Sequence, residues 1–112
     1  MNVIVLPQVL DYLDELVYTL YQKHYFSYLD LSMLYVDELL SEIETDLPAK
    51  KHKPAPKYYD RYGKNLFYAT FRKNRQTQWY PFFSKYVENG NTFYLVCYLG
   101  NNHTEAHRLY EG

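Results

Sequence analysis

The feature that most constrains the fold is a hairpin signal at residues 88–91, ENGN, with an alternating stretch on either side. Asn-Gly readily adopts the positive φ angles of a tight two-residue turn. After this turn, residues 92–99 are predicted to form a strand with one face made by Phe93, Leu95, Cys97 and Leu99. Before it, residues 77–86 are predicted to form the partner strand. Pro81 cannot donate to the ladder there and indicates a bulge or an outward-facing position.

A third strand is predicted just upstream, in the aromatic and basic stretch KNLFYATFRKNRQTQWYPFF at residues 64–83. From Asn65 the side chains alternate with period two, and residues 73–76 form a polar turn. One face of this strand is predicted to carry Leu66, Tyr68, Thr70 and Arg72, and the other Phe67, Ala69 and Phe71. The three stretches together predict a three-stranded antiparallel meander.

The first half of the chain has the periodicity of helices. Residues 3–6 are predicted to form a short strand, and Pro7 suits the first turn of a helix. That helix has an apolar stripe at Leu10, Leu13, Val17, Leu20 and His24. A second helix, which Pro48 stops, has a stripe at Leu29, Met33, Val36, Leu40, Ile43 and Leu47. Both stripes are predicted to pack against the protein's own sheet.

Two further segments complete the predicted fold. Residues 49–57, AKKHKPAPK, form a basic, proline-rich connector that is either a solvated loop or a strip along a phosphate backbone. Asn102 is predicted to cap a short last helix that ends near residue 110. The prediction is one α+β domain over residues 1–112, with a short N-terminal strand, a helical hairpin, the meander and a short C-terminal helix. The helices are expected on one face of the sheet.

The charge is distributed unevenly along the chain. Residues 1–48 carry nine acidic side chains and one basic one, whereas residues 49–112 carry eleven basic and four acidic ones. This division predicts an acidic face and a basic face, and a basic face attracts phosphates or an acidic protein. The alternative is that acidic helices and a basic sheet neutralise each other.

Several classes of chemistry lack their sequence signals. The chain has four glycines and no glycine-rich phosphate loop, no HExxH and no cysteine pair, so neither a cofactor nor a metal is predicted. The lone Cys97 is expected to pack as a small apolar residue in a reducing cytoplasm. The sequence has no apolar run of membrane-spanning length, and its start is unlike a signal peptide.

Arginine, lysine, histidine and tyrosine remain, and this set suits metal-free cleavage of RNA. A base must take the proton of the 2′-hydroxyl, a cation must stabilise the charge on phosphorus, and an acid must protonate the leaving oxygen. The candidate catalytic residues are His103, Arg72 and Arg75. The candidate RNA-binding residues are Lys50, Lys51, Lys53, Lys73, Trp79, Lys85 and Arg108. Trp79 is the candidate for base stacking, with sheet packing as its alternative.

The order of elements resembles that of the RelE/ParE superfamily of toxins from bacterial type II toxin–antitoxin systems, and most of all the HigB-like branch. The resemblance covers nearly the whole chain. LFYATFRKNRQTQWYPFF is similar to the segment in which a strand with a charged end turns into an aromatic strand, and YLVCYLGNNH is similar to the last strand and its polar exit. The sequence departs from the pattern at two places. Thr77-Gln78-Trp79 stands where an arginine is expected, and Asn101-Asn102-His103 stands where lysines are common.

The resemblance implies translation-dependent mRNA cleavage on the ribosome, or inhibition of DNA gyrase as in ParE-like members. It also implies a cognate antitoxin that covers the basic surface, and neither a membrane nor a small-molecule cofactor. A third alternative is a binding or regulatory protein of the same fold without toxin activity.

Overall fold

The computed structural model describes residues 2–111, which form a mixed α+β fold. Its elements are β1 (Val3–Val5), α1 (Pro7–Gln22), α2 (Leu29–Asp46), β2 (Lys53–Pro54), β3 (Phe67–Tyr68), β4 (Phe71–Arg72), β5 (Gln78–Glu88), β6 (Asn91–Asn101) and α3 (Asn102–Glu111). Two 3₁₀ helices, Leu47–Ala49 and Lys57–Arg61, interrupt the connector between α2 and β3. No helix within residues 2–111 is long and apolar enough to cross a bilayer.

The sheet is mixed, whereas the sequence predicted an antiparallel sheet. Its strand order is β1-β6-β5-β3-β2, and β4 also pairs with β5. β5 and β6 pair antiparallel around the Asn89-Gly90 turn, where both residues have positive φ, as the hairpin signal predicts. β1 joins β6 in parallel. The chain between them, which includes both long helices and β2–β5, supplies the long connection that a parallel pair needs.

The predicted third strand is broken, and the connector is partly ordered. β3 and β4 are separate two-residue strands that pair antiparallel with β5. Lys53 and Pro54 of the connector add an outer strand to β3. The connector is therefore not a free loop, because its middle is hydrogen-bonded to the sheet.

Both faces of the sheet are covered, which corrects the prediction of helices on one face. α1 and α2 pack on one face, here called the helix side, against a core that includes Phe71, Phe83 and Val96. The Lys57–Arg61 helix and α3 cover the other face, here called the tyrosine side, whose core includes Tyr59, Tyr80 and Phe82. Alternation along each strand sends neighbouring side chains to the two sides.

The helical stripes pack on the sheet as predicted, but each is rotated from its predicted position. In α1 the buried residues are Val9, Leu13 and Leu16, and Leu10 is exposed. In α2 the buried residues are Ser32, Val36, Leu39 and Ile43, and Met33 is exposed. The hydroxyl of Ser32 donates to the backbone oxygen of Val17, so a polar side chain occupies the contact between the helices.

A β-bulge in β6 changes which side chains face the helices. Phe82 pairs with Tyr98 and Phe83 pairs with Val96, so Cys97 is the extra residue. Cys97 and Tyr98 consequently both lie on the tyrosine side, and Leu99 lies on the helix side. The predicted common face of Cys97 and Leu99 is therefore wrong. The sequence associated a bulge with Pro81, but the register shift follows Phe82.

Candidate functional site

A polar surface forms at one end of the sheet, where the β4–β5 turn meets the start of α3. This surface, here called the polar corner, comprises residues 72–78 and 101–104. The amide of Asn102 joins its two segments, because Nδ2 donates to the backbone oxygen of Gln76 (2.9 Å) and Oδ1 accepts from the backbone N–H of Gln78 (2.9 Å). The side chain of Asn102 thus completes the ladder beyond the last paired residues of β5 and β6.

The β4–β5 turn presents two exposed arginines at this corner. Arg72 pairs with Gln78 across the turn, and its Nε donates to the backbone oxygen of Asn74 (3.1 Å). The side chain of Asn74 accepts from the backbone N–H of Gln76 (2.8 Å), which orders the loop that carries Arg75. Neither arginine forms an ion pair with a described carboxylate, so both are available to an anion.

The start of α3 presents His103 at the same corner. Asn101 caps the helix, because its Oδ1 accepts from the backbone N–H groups of His103 (2.9 Å) and Thr104 (3.2 Å). The sequence assigned this cap to Asn102, one residue too late. The imidazole of His103 is exposed, and the positive end of the helix dipole lies beside it.

The arrangement brings together the three residues predicted to be catalytic. Arg72, Gln78 and Asn102 lie on three neighbouring chain segments, so Arg72 and Asn102 are about 10 Å apart at the usual strand spacing. A guanidinium can bind a phosphate by two hydrogen bonds, and an imidazole can exchange a proton with a hydroxyl.

The lysines predicted to bind RNA do not join this corner as a group. Lys73 points to the helix side, where its Nζ forms an ion pair with Glu42 (3.0 Å) and lies 5.3 Å from the ring centre of Tyr35. Lys50 lies over the ring of Phe71, and Lys85 lies over the ring of Phe67. These three lysines cover the edge of the helix-side core. Lys51 and Lys53 are exposed on the connector.

Lys85 also contacts His52, and this contact fixes the arrangement of the imidazole. His52 Nε2 lies 2.8 Å from the backbone oxygen of Leu47, so Nε2 is the donor. Nδ1 then accepts from Lys85 Nζ at 3.2 Å. The His52 ring lies edge-on to Phe83, so it closes the core and is not a free acid or base.

Trp79 cannot stack a base, which corrects its prediction. Its side chain is 2% exposed, belongs to the helix-side core, and donates from Nε1 to the hydroxyl of Tyr35 (2.9 Å). Arg108 lies on the tyrosine side, where it stacks on Tyr58 and forms a 3.7 Å ion pair with Glu105. Trp79 and Arg108 therefore have structural contacts instead of RNA-facing positions.

A buried carboxylate that was not predicted from the sequence holds α3 on the sheet. Glu105 is 3% exposed and accepts hydrogen bonds from the hydroxyls of Tyr59 (2.8 Å) and Tyr98 (3.2 Å). A Cβ at Gly100 would lie 2.5 Å from Glu105 Cγ, so this close approach requires glycine. No local sequence pattern indicated the burial of Glu105 or its tyrosine partners.

The surroundings of Glu105 suppress ionisation of these phenols. Burial is the main cause that raises the pKa of Tyr59 far above its usual value. The hydrogen bond to Glu105 and the negative charge of Glu105 raise this pKa further. Burial and the charge of Glu105 likewise raise the pKa of Tyr98. Near neutral pH both hydroxyls keep their protons and act as donors. They position α3 and do not serve as acids or bases.

Other reactive groups in the described part of the chain are accounted for by packing. Cys97 is buried, and burial raises the pKa of its thiol, so it is a poor nucleophile, as its place in the strand predicted. No group of three metal-ligating side chains occurs among the described residues. Searches for related family models, curated proteins and solved structures find no match to this chain.

Proposed function

We propose that this protein is a toxin of a type II toxin–antitoxin system that cleaves mRNA at the polar corner without a metal. The observation that carries the proposal is the placement of Arg72, Arg75 and His103 at one end of the sheet, where Asn102 ties their two segments together. His103 lies 28 residues after Arg75 in the sequence. Their common location gives one surface both cations for a phosphate and an imidazole for proton transfer.

In this mechanism the arginines bind the scissile phosphate and stabilise the extra negative charge that develops on phosphorus. His103 takes the proton from the 2′-hydroxyl as its oxygen attacks phosphorus. The bond to the 5′-oxygen then breaks, and the imidazolium returns the proton to that leaving oxygen. The products are a 2′,3′-cyclic phosphate and a free 5′-hydroxyl.

The order of elements also supports this proposal. The resemblance to RelE/ParE toxins implies a strand, a helical hairpin, antiparallel strands and a short final helix, in the order that the chain has. In this proposal the ribosome presents the mRNA. A cognate antitoxin inhibits the protein by covering the polar corner with acidic side chains, because unpaired arginines there attract such a partner.

Non-catalytic inhibition of DNA gyrase is the second candidate, and the helical hairpin favours it. The hairpin exposes several large apolar side chains, which suit contact with another protein: Leu10, Tyr18, Tyr21, Tyr25, Tyr28, Leu31, Met33 and Leu34. A binding protein of this fold without toxin activity would use the same surface.

Controlled expression in a bacterium, with mapping of mRNA 5′ ends, tests the first proposal. The wild-type protein is expected to arrest growth and create new ends, and His103→Ala and Arg75→Gln are each expected to lower cleavage by about 10²-fold or more. His107→Ala is the matched control, because His107 is also exposed on α3 but lies one turn further along. It is expected to cleave like the wild type.

Two outcomes contradict the ribonuclease proposal. Growth arrest without new mRNA ends excludes cleavage as its cause. Accumulation of gyrase-linked broken DNA with intact mRNA supports the second candidate instead.

A further inference from the structure

A cavity of about 340 Å³ lies beside β6, separate from the polar corner. It forms where β1 ends, because β1 accompanies β6 as far as Val96, and α1 then begins at Pro7. The bulge residue Cys97 lies at this edge of the cavity. The cavity is lined by Gln8, Val9, Tyr12, Arg61, Tyr62, Cys97, Tyr98 and Leu99.

The wall of the cavity is aromatic and rigid. Tyr62 and Tyr98 stack with their ring centres 3.9 Å apart and their planes within 5°. Tyr98 is fixed in turn by its hydrogen bond to the buried Glu105. Tyr12 lines the cavity from α1, and Val9 and Leu99 supply an apolar floor. Such a space, with few polar groups on an apolar lining, has the character and the minimum size of a small-ligand site.

A cation without a carboxylate partner stands at this cavity. Arg61 is exposed, and it forms no ion pair with any described carboxylate. Its guanidinium is held in place because it stacks on the ring of Tyr58 (3.8 Å) and donates from Nε to the backbone oxygen of Tyr58 (3.1 Å). The terminal N–H groups are left for an anion, and a planar guanidinium recognises a phosphate by two hydrogen bonds.

We propose that this cavity binds a nucleotide, with the base among the tyrosines and the phosphate at Arg61. Aromatic side chains accept any base because every base has a π face. Gln8 supplies amide groups for the edge of the base. The preference for a nucleotide over another planar anion rests on the proposed function in RNA cleavage.

The nucleotide has two possible sources, a free monophosphate or one residue of a bound RNA. Tyr98 and Asn101 are three positions apart along β6, which places the cavity about 10 Å from the polar corner. An RNA strand held at the corner can therefore reach the cavity with a neighbouring residue. In this arrangement the cavity contributes to the choice of cleavage site.

Isothermal titration calorimetry with the four ribonucleoside monophosphates, and with the matching nucleosides, tests the proposal. Arg61→Gln is expected to weaken monophosphate binding at least tenfold and to leave nucleoside binding unchanged. Lys57→Gln is the matched control, because it removes the same charge from the same 3₁₀ helix. Lys57 is exposed and does not line the cavity. It is expected to bind monophosphates like the wild type.

Substitutions at Tyr12 test whether the base lies among the tyrosines of the cavity. Tyr12→Leu is expected to weaken nucleosides and monophosphates by the same several-fold factor, whereas Tyr12→Phe keeps the ring and most of the affinity. Circular dichroism establishes that each variant is folded. The proposal is overturned if neither ligand class binds at millimolar concentration, or if Lys57→Gln and Arg61→Gln weaken monophosphate binding equally.

A 2′-deoxy oligonucleotide, which this mechanism cannot cleave, distinguishes the two sources. Displacement of the monophosphate by the oligonucleotide identifies the cavity as part of the RNA path. Simultaneous binding of both identifies a site for the free nucleotide. Monophosphate binding without mRNA cleavage supports the proposed nucleotide site and contradicts only the ribonuclease proposal. Cleavage without monophosphate binding contradicts only the proposed nucleotide site.

Discussion

The two faces of the sheet are both buried, but they are held by different forces. The helix side consists of aliphatic chains, phenylalanines and Trp79 packed against α1 and α2. The tyrosine side is built largely from aromatic rings, and the hydroxyls of Tyr59 and Tyr98 donate to Glu105. Apolar packing is strong but non-directional, whereas hydrogen bonds fix orientation. The comparison indicates that the helix side supplies stability and the tyrosine side fixes α3, which carries His103.

The largest expected effect comes from a deletion in the helix-side core. Phe83 is 0% exposed, and Phe83→Ala is expected to lower the free energy of unfolding by about 3–5 kcal/mol, because it removes apolar contacts and leaves a cavity. Urea denaturation measures the change. Val87→Ala is the control on the same strand, since Val87 is 70% exposed, and its effect is expected to stay within about 0.5 kcal/mol. Equal losses in the two variants would contradict the assignment of the core.

A smaller effect is expected at Glu105, because a leucine there buries apolar surface and offsets part of the loss. Glu105→Leu leaves two tyrosine hydroxyls without an acceptor, and each unsatisfied buried group costs about 1–3 kcal/mol before that offset. Adding Tyr59→Phe and Tyr98→Phe removes the orphaned hydroxyls, so the triple variant is expected to recover part of the loss. Urea denaturation of the wild type, Glu105→Leu, the double tyrosine variant and the triple variant measures this recovery. If the triple variant is less stable than Glu105→Leu alone, the tyrosines contribute through something other than this carboxylate.

The tyrosine side is also expected to set the position of His103 at the polar corner. If the tyrosine side positions His103, Glu105→Leu is expected to lower mRNA cleavage more than Phe83→Ala does under conditions in which both variants remain folded. Cleavage assays well below each unfolding midpoint measure this. A cleavage loss that simply follows the loss of stability would contradict the positioning role of Glu105.

The smallest effect is a dependence of stability on alkaline pH. The folded state raises the pKa of Tyr59 above its usual value of 10.0. Both states hold the proton below about pH 10, but above it only the unfolded state releases the proton, so stability falls as the pH rises. Tyr59→Phe is expected to make this decline shallower. Urea midpoints between about pH 9 and pH 11 measure it.

The control for this pH dependence is Tyr25→Phe, because Tyr25 is 70% exposed. Its decline is expected to match that of the wild type. A wild-type slope in Tyr59→Phe would show that the buried phenol does not contribute to the alkaline loss of stability.

The sequence predicted the elements well because their signals are local. The Asn89-Gly90 turn, the two helices and the final helix all occur close to their predicted positions. The faces of the helices were less predictable. Both helices carry apolar residues beyond their buried faces, such as Leu10 in α1 and Leu34 in α2, so more than one apolar stripe was possible. Packing against the sheet buried Leu16 and Leu39 and left Leu10 and Met33 exposed.

The candidate site was partly predictable. Arg72, Arg75 and His103 were identified by residue type, but only the fold shows that they share one end of the sheet. Trp79 was assigned to RNA binding because a tryptophan among basic residues resembles a stacking platform. Its burial depends on Tyr35 of α2, which is 44 residues away. Lys73 was also assigned to RNA binding, but it forms an ion pair with Glu42 of α2, which is likewise distant in the sequence.

By itself, then, the sequence determined the α+β class, the hairpin, the helices and the charged groups at the β4–β5 turn. These follow from periodicity, turn chemistry and residue type over a few neighbouring positions. The tertiary structure alone decided the bulge at Cys97, the burial of Glu105 and the cavity beside Arg61. Each of these depends on side chains from distant segments packing together, and no local pattern encodes such contacts.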